Sequence, residues 1–121
     1  KLPAPLDLAS LMKLLKQKFS IDQLQYVGEP DQQIAVVASA CGSGGSLLEQ
    51  AIAAGCDVFI TGEATFHTCL EAKANRISMV LLGHYHSERF AIEVLADTLQ
   101  QRFAELEIWA SADESNPVKS Y

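Results

Sequence analysis

The sequence predicts an α/β fold, a mostly parallel or mixed sheet flanked by helices, and three observations carry that reading. From residue 34 onward, short apolar runs alternate with longer amphipathic segments, the pattern of parallel strands joined by right-handed crossovers. The run Ile34-Ala35-Val36-Val37-Ala38 is apolar on both faces, as expected for an interior parallel strand. Glycines punctuate the places where a strand hands over to a helix, at Gly42–Gly45, Gly62 and Gly83.

Taken in order, Leu2–Pro5 is extended, because two prolines forbid a regular helix there. Asp7 is placed to cap a helix running to about Phe19, with Leu8, Leu11, Met12, Leu15 and Phe19 along one side. Leu24–Glu29 and Ile34–Ala40 read as strands, and Pro30-Asp31-Gln32 between them is turn-like enough to make the two a hairpin. A short helix, Leu47–Ala54, is closed by Gly55. Asp57–Ile60 is a buried strand, Ala64–Asn75 a helix and Ile77–Leu82 the next strand. A long helix follows, starting near His84 and amphipathic from Arg89 to Glu105. Leu106–Ala110 reads as a last strand, and the polar tail Ser111–Tyr121 as a surface segment.

At 121 residues the chain is one domain, 1–121, long enough for a real core. It starts at Lys1 and ends soon after the last expected strand, and it reads as a fragment or half of a longer two-part protein. Hydrophobic residues make up 49% and charged residues 20%, ordinary for a globular chain. A net charge of −6 with no basic cluster speaks against nucleic-acid binding. No apolar run reaches the ~20 residues needed to span a bilayer, so no membrane role is expected. Three cysteines, Cys41, Cys56 and Cys69, without a C-x-x-C pair suggest reduced thiols and a cytoplasmic setting. Cys41 has no evident base partner and is read as a buried thiol, not a nucleophile.

In an open α/β sheet the loops after the strands gather at one edge, where ligands bind. That edge holds the reactive residues. Gly83-His84-Tyr85-His86-Ser87-Glu88 sets His84 and Glu88 four apart at a helix start, on one face. The apolar stripe of the following helix aims Glu88 where the helix packs, so the carboxylate needs a cation or several donors. The helix terminus favours Glu88 and keeps His84 neutral. Taken alone, though, H-x-x-x-E is a common spacing, more often a cap and a backbone-bonded histidine than a ligand pair. Gly42-Ser43-Gly44-Gly45 offers backbone N–H groups to an anion, or equally makes a tight turn. Glu63 ends a strand and His67 lies four beyond it, a second acid–imidazole pair with a role in ligation, support or proton transfer. His86 projects to a different side, toward solvent or a rim.

Together these stretches resemble the C-terminal half of the Nif-three-like family (NGG-interacting factor three), whose members are often called GTP cyclohydrolase 1 type 2 homologues. The similarity runs from about Ile34 to Pro117. It rests on Cys41-Gly42-Ser43-Gly44, on Asp57-Val58-Phe59-Ile60-Thr61-Gly62-Glu63 followed by His67, and on Gly83–Glu88. The resemblance implies a dinuclear metal site with His84 and Glu88 as ligands, and Glu63 and His67 as pocket neighbours. It implies two divalent ions per complete site, of zinc, iron or manganese, and a homo-oligomer, a hexameric ring in the complete protein. The family's remaining ligands, a His-His pair and a further histidine or aspartate, belong to an N-terminal half. This chain has no histidine before His67. With two protein ligands it is expected to bind metal weakly by itself.

Two functions follow. The first is a metal-dependent hydrolase, in which Glu63 or His67 moves protons and Gly42, Ser43, Gly44 and Gly45 hold a small anionic or nucleotide ligand. The second is a non-catalytic metal-binding or metal-delivery scaffold. A weaker third is an oligomeric anion-binding module in which only the glycine loop matters.

Overall fold

A computed structural model describes residues 1–119 of the chain; Ser120 and Tyr121, the end of the expected surface tail, lie outside the described residues. The elements are β1 (Leu6–Asp7), α1 (Leu8–Phe19), β2 (Gln25–Val27), β3 (Gln33–Ile34), β4 (Val37–Ser39), a 3₁₀ turn (Gly44–Leu47) leading into α2 (Leu48–Ala53), β5 (Val58–Thr61), α3 (Phe66–Ala74), β6 (Ser78–Leu81) and α4 (His84–Arg102). Four strands form a mixed sheet in the order β2-β6-β5-β4, in which β4, β5 and β6 are parallel and β2 is antiparallel to β6. β1 and β3 make a small separate antiparallel pair.

The alternation of side chains along β5 and β6 builds a core on each face of the sheet. Val58, Ile60, Val80 and Leu82 face α1, where Leu8 and Leu11 cover them. Phe59 and Met79 face the other way, against Leu48 and Ala51 of α2 and Ala72 of α3. Each of the fully buried large side chains, such as Phe59, Leu8 and Met79, contributes about 1.5–3 kcal/mol through burial. α1 begins as expected, with Asp7 accepting a hydrogen bond from Ser10 N at 2.6 Å.

Four expectations are corrected. Leu24–Glu29 and Ile34–Ala40 do not form a hairpin: β2 pairs instead with β6, in the register Tyr26 opposite Val80. The run Ile34–Ala40 is not one interior strand but two short ones, β3 and β4, and β4 is an edge of the sheet. The break has a clear cause, because Asp57 Oδ2 accepts from both Ala35 N and Val36 N at 2.8 Å and takes those N–H groups out of any ladder. Leu106–Ala110 forms no strand; the segment leaves α4 and is followed by the tail.

The fourth correction concerns α4. Its first turn rests on the sheet edge through buried Ser87, and Phe90 packs edge-on against Phe19 of α1 with ring centroids 5.2 Å apart. Ile92, Val94 and Leu95 nevertheless remain exposed, and so does Glu88. The carboxylate therefore does not point into a packed core. It stands at the rim, beside the loops that end β4 and β5. No helix is long and apolar enough to cross a membrane among the described residues.

Candidate metal centre

Three loops converge at the C-terminal edge of β4, β5 and β6, and the Gly42 carbonyl is the common acceptor of the first two. It receives Gly62 N at 3.0 Å, Glu63 N at 3.1 Å, Gly44 N at 3.0 Å and the Thr61 hydroxyl at 3.1 Å. Gly83 N in turn donates to Gly62 O at 2.8 Å, tying the third loop to the second. The buried Ser87 hydroxyl completes the junction, accepting from Gly42 N at 2.9 Å and donating to His84 O at 2.8 Å. Packing here tolerates no side chains: a Cβ on Gly62 would run into Ser87 Oγ and stand 2.7 Å from Gly42 O.

This junction places His84 between two carboxylates. Nδ1 lies 2.9 Å from Glu63 Oε1, and Nε2 lies 3.3 Å from Glu88 Oε1. The Ser43 hydroxyl donates to the same Glu63 oxygen at 2.5 Å. All three titratable side chains are about half exposed, at 48%, 54% and 51% for His84, Glu63 and Glu88. The hydrogen bond to Glu63, and then the charge of Glu88, hold the imidazole above its ordinary value of 6.5. The two adjacent carboxylates thus act on the ring in the direction opposite to that expected of the helix terminus. Glu63 is held below its ordinary value of 4.5, chiefly by the Ser43 hydroxyl and then by the His84 hydrogen bond.

The donor pair suits a divalent ion. Two ligands each about 2.0–2.2 Å from one ion, at tetrahedral to octahedral angles, stand roughly 3.0–3.5 Å from each other; the His84 and Glu88 donors are 3.3 Å apart. Gly42 makes the space: a Cβ there would overlap Glu88 Oε1 and lie 3.2 Å from His84 Nε2. Glu63 bonds the opposite ring nitrogen, so its oxygen does not converge with the other two. Among the described residues no group of three or more His, Cys, Asp or Glu side chains is disposed to hold an ion. What the structure shows is one imidazole between two carboxylates, Glu63 on Nδ1 and Glu88 beside Nε2.

The other expected residues lie elsewhere. His67 is exposed on α3 beside Phe66, with no hydrogen bond to the His84 group. The spacing of four from Glu63 does not bring the two together, because α3 begins at Phe66 and Glu63 precedes it. His86 is half-buried with its ring edge-on to Tyr85. In the glycine loop, Gly42 N serves Ser87 and Gly44 N serves the Thr61 hydroxyl at 3.0 Å. Ser43, besides bonding Glu63, lines with Gly45 a cavity of about 350 Å³ shared with Ser46, Glu63, Thr65 and Thr68. Cys41 is exposed, not buried. Sequence reasoning missed the structural parts of Ser87 and Thr61; the signal available was two hydroxyls set at strand and helix ends among glycines.

The family model described as Duf34/NIF3 (NGG1p interacting factor 3) matches residues 1–117, extending the similarity through α1 and β2. A Staphylococcus aureus (strain MSSA476) protein named GTP cyclohydrolase 1 type 2 homolog is 34% identical over 109 residues, covering 87% of this chain and 30% of that protein. A Pseudomonas aeruginosa protein of the same name is 40% identical over 73 residues, covering 60% of this chain and 29% of its own length. The chain thus spans about 30% of the length of these curated relatives. Among solved structures, Staphylococcus aureus protein SA1388 superposes with a TM-score of 0.91 at 29% identity, over 100% of this chain and 40% of that one.

Proposed function

The chain belongs to the Duf34/NIF3 family, and from that membership and the geometry at Gly42 we propose that it supplies His84 and Glu88 as two ligands of a divalent-metal site. The observation that carries this reading is the 3.3 Å separation of His84 Nε2 and Glu88 Oε1, both drawn close over Gly42, where a Cβ would collide with the carboxylate. Zinc, iron and manganese all accept an imidazole and a carboxylate. The complete site holds two such ions, with the further ligands coming from outside this 121-residue stretch.

The activity proposed for the complete protein is metal-dependent hydrolysis, in line with the name GTP cyclohydrolase 1 type 2 homolog carried by the relatives. Ions at such a site act as Lewis acids and activate water. In this chain, Glu63 fixes the His84 ring through Nδ1, so that Nε2 is the nitrogen turned toward Glu88. Its Oε1 also accepts a hydrogen bond from the Ser43 hydroxyl, and Glu63 is the group placed to take up or pass a proton at the rim. A non-catalytic metal-carrying role is the second reading, favoured by the half-exposure of both donors, which leaves the ion open to exchange. We also propose a homo-oligomer, supported by the exposed Ile92, Val94 and Leu95 on α4, side chains that association would cover.

Elemental analysis of the complete protein and of its His84→Ala variant, after dialysis against zinc, tests the metal reading. Metal that is lost with His84 supports it, and equal metal in both proteins overturns it. Metal bound without hydrolysis of a nucleotide panel selects the carrier role.

A further inference from the structure

The turn of α4 that presents His84 and Glu88 presents a second pair, Tyr85 and Arg89, at the same spacing of four on the neighbouring face. That pair grips the C-terminal tail. Arg89, whose side chain is only 18% exposed, donates through Nη2 to Ser111 O at 2.7 Å and through Nη1 to Glu114 Oε2 at 3.1 Å. Its Nε lies 3.3 Å from Glu93 Oε1, so the guanidinium is also held from the helix side. The Tyr85 hydroxyl donates to Glu114 O at 3.2 Å.

Little else anchors this segment. Beyond Ile108, Tyr85 and Arg89 make every hydrogen bond between the tail and the body among the described residues. No strand or helix follows α4 there, and Trp109 and Val118 are 71% and 75% exposed. A segment with few buried apolar contacts and one polar clasp lets go before the sheet does.

What the clasp positions is one wall of a cleft. Two residues past Glu114 the chain turns, and Asn116 Oδ1 accepts from Val118 N at 3.0 Å. Asn116 and Val118 together line a cleft of about 400 Å³, opposite residues that include Glu63, His84 and His86. Tyr85 belongs to both features. Its hydroxyl grips Glu114, and its ring stands edge-on to His86 with centroids 5.5 Å apart.

We propose that residues 111–118 are a strap at the cleft beside His84, clasped by Tyr85 and Arg89, and that opening the clasp swings the Asn116 wall away and widens the entry to His84 and His86. Clasp and site share one helical turn, so whatever takes Glu114 from Arg89 acts on access to the imidazoles without unfolding the sheet. The strap's service to a metal rests on the function proposed above; its opening does not.

The test compares the complete, chelator-treated protein with its Arg89→Met and Glu114→Ala variants by amide hydrogen exchange and hydroxyl-radical footprinting. Exchange across residues 111–119 is expected to quicken about tenfold in Arg89→Met, the loss of a hydrogen bond from a charged group. In Glu114→Ala it is expected to quicken about threefold, as for a half-exposed ion pair. In both variants, oxidation of His86 and Leu81, half-buried in the cleft wall, should rise against that of the exposed Phe66, with the amides of β5 and β6 unmoved. Unchanged oxidation at His86 and Leu81 would overturn the proposal, and so would a loosened tail without it, the mark of a fixed brace. If Arg89→Met loosens the sheet as well, Glu114→Ala decides, since Glu114 lies on the exposed tail. No ion is present in these samples, so a failed strap leaves the metal reading untouched, and equal metal in the wild type and His84→Ala leaves the strap untouched.

Discussion

Ser87 Oγ accepts the Gly42 N–H at 2.9 Å across 45 residues of sequence, and that bond sets the first turn of α4 against the loop that ends β4. Through it, the backbone that bears no side chain meets the two side chains that would grip an ion.

Replacing Ser87 by alanine leaves the Gly42 N–H in a buried place without its acceptor. The expected cost is about 1–3 kcal/mol of stability, read as a lowered urea midpoint with an unchanged slope. Ser87→Thr, which keeps the hydroxyl in a tight site, measures how much of the loss is polar.

Gly42→Ala tests the space beside the donors. Gly42 sits at a φ of +60°, where alanine costs on the order of 1 kcal/mol, and its Cβ would overlap Glu88 Oε1. The variant should fold with slightly reduced stability and lose at least about tenfold in zinc affinity, the consequence of splaying one ligand of a chelate. Calorimetric titration with zinc beside a thermal melt separates the two effects.

The pH behaviour follows from the two carboxylates around His84. Its imidazole is held above 6.5 by the Glu63 hydrogen bond first and the Glu88 charge next. The small stabilisation from the charged ring is therefore complete below 6.5 and fades as pH rises through the raised folded value. Glu63, held below 4.5, has the opposite sense: its contribution is present above 4.5 and fades as pH falls through the lowered value. Metal must displace the His84 proton, so zinc uptake should release a proton and weaken on acidification. In an NMR titration of the metal-free chain, Glu63→Gln should lower the His84 midpoint.

The apolar residues on α4 give a prediction about association. Val94 and Leu95 are 57% and 52% exposed. If copies of the chain meet there, Leu95→Glu should shift the sedimentation profile toward smaller species without altering the far-ultraviolet circular dichroism. A profile that is monomeric before the substitution would remove this surface from the oligomer proposal.

The sequence made the strand–helix alternation and the grouping of three loops at one edge legible, because glycine punctuation and apolar runs are local signals. The spacing of His84 and Glu88 was legible for the same reason: both lie on one helix. Glu63 and His84 are 21 residues apart, and their contact depends on the parallel register that sets Thr61 opposite Leu81. No local pattern encodes that register. The Asp57 carboxylate splits an apolar run that reads as one strand, and it acts from more than 20 residues away. Helix starts are similarly hidden: two residues of delay before α3 separate Glu63 from His67. The tail's course likewise depends on Arg89, whose partners Ser111 and Glu114 are 22 and 25 residues downstream.

The central claim is that His84 Nε2 and Glu88 share one ion while Glu63 holds Nδ1. Long-range ¹H–¹⁵N correlation of the imidazole rings during a zinc titration addresses it most directly. The expected result is a zinc-induced shift of His84 Nε2, with Nδ1 remaining protonated, and loss of that shift in Glu88→Ala. Zinc-induced shifts centred on His67 or His86 with His84 unmoved would contradict it.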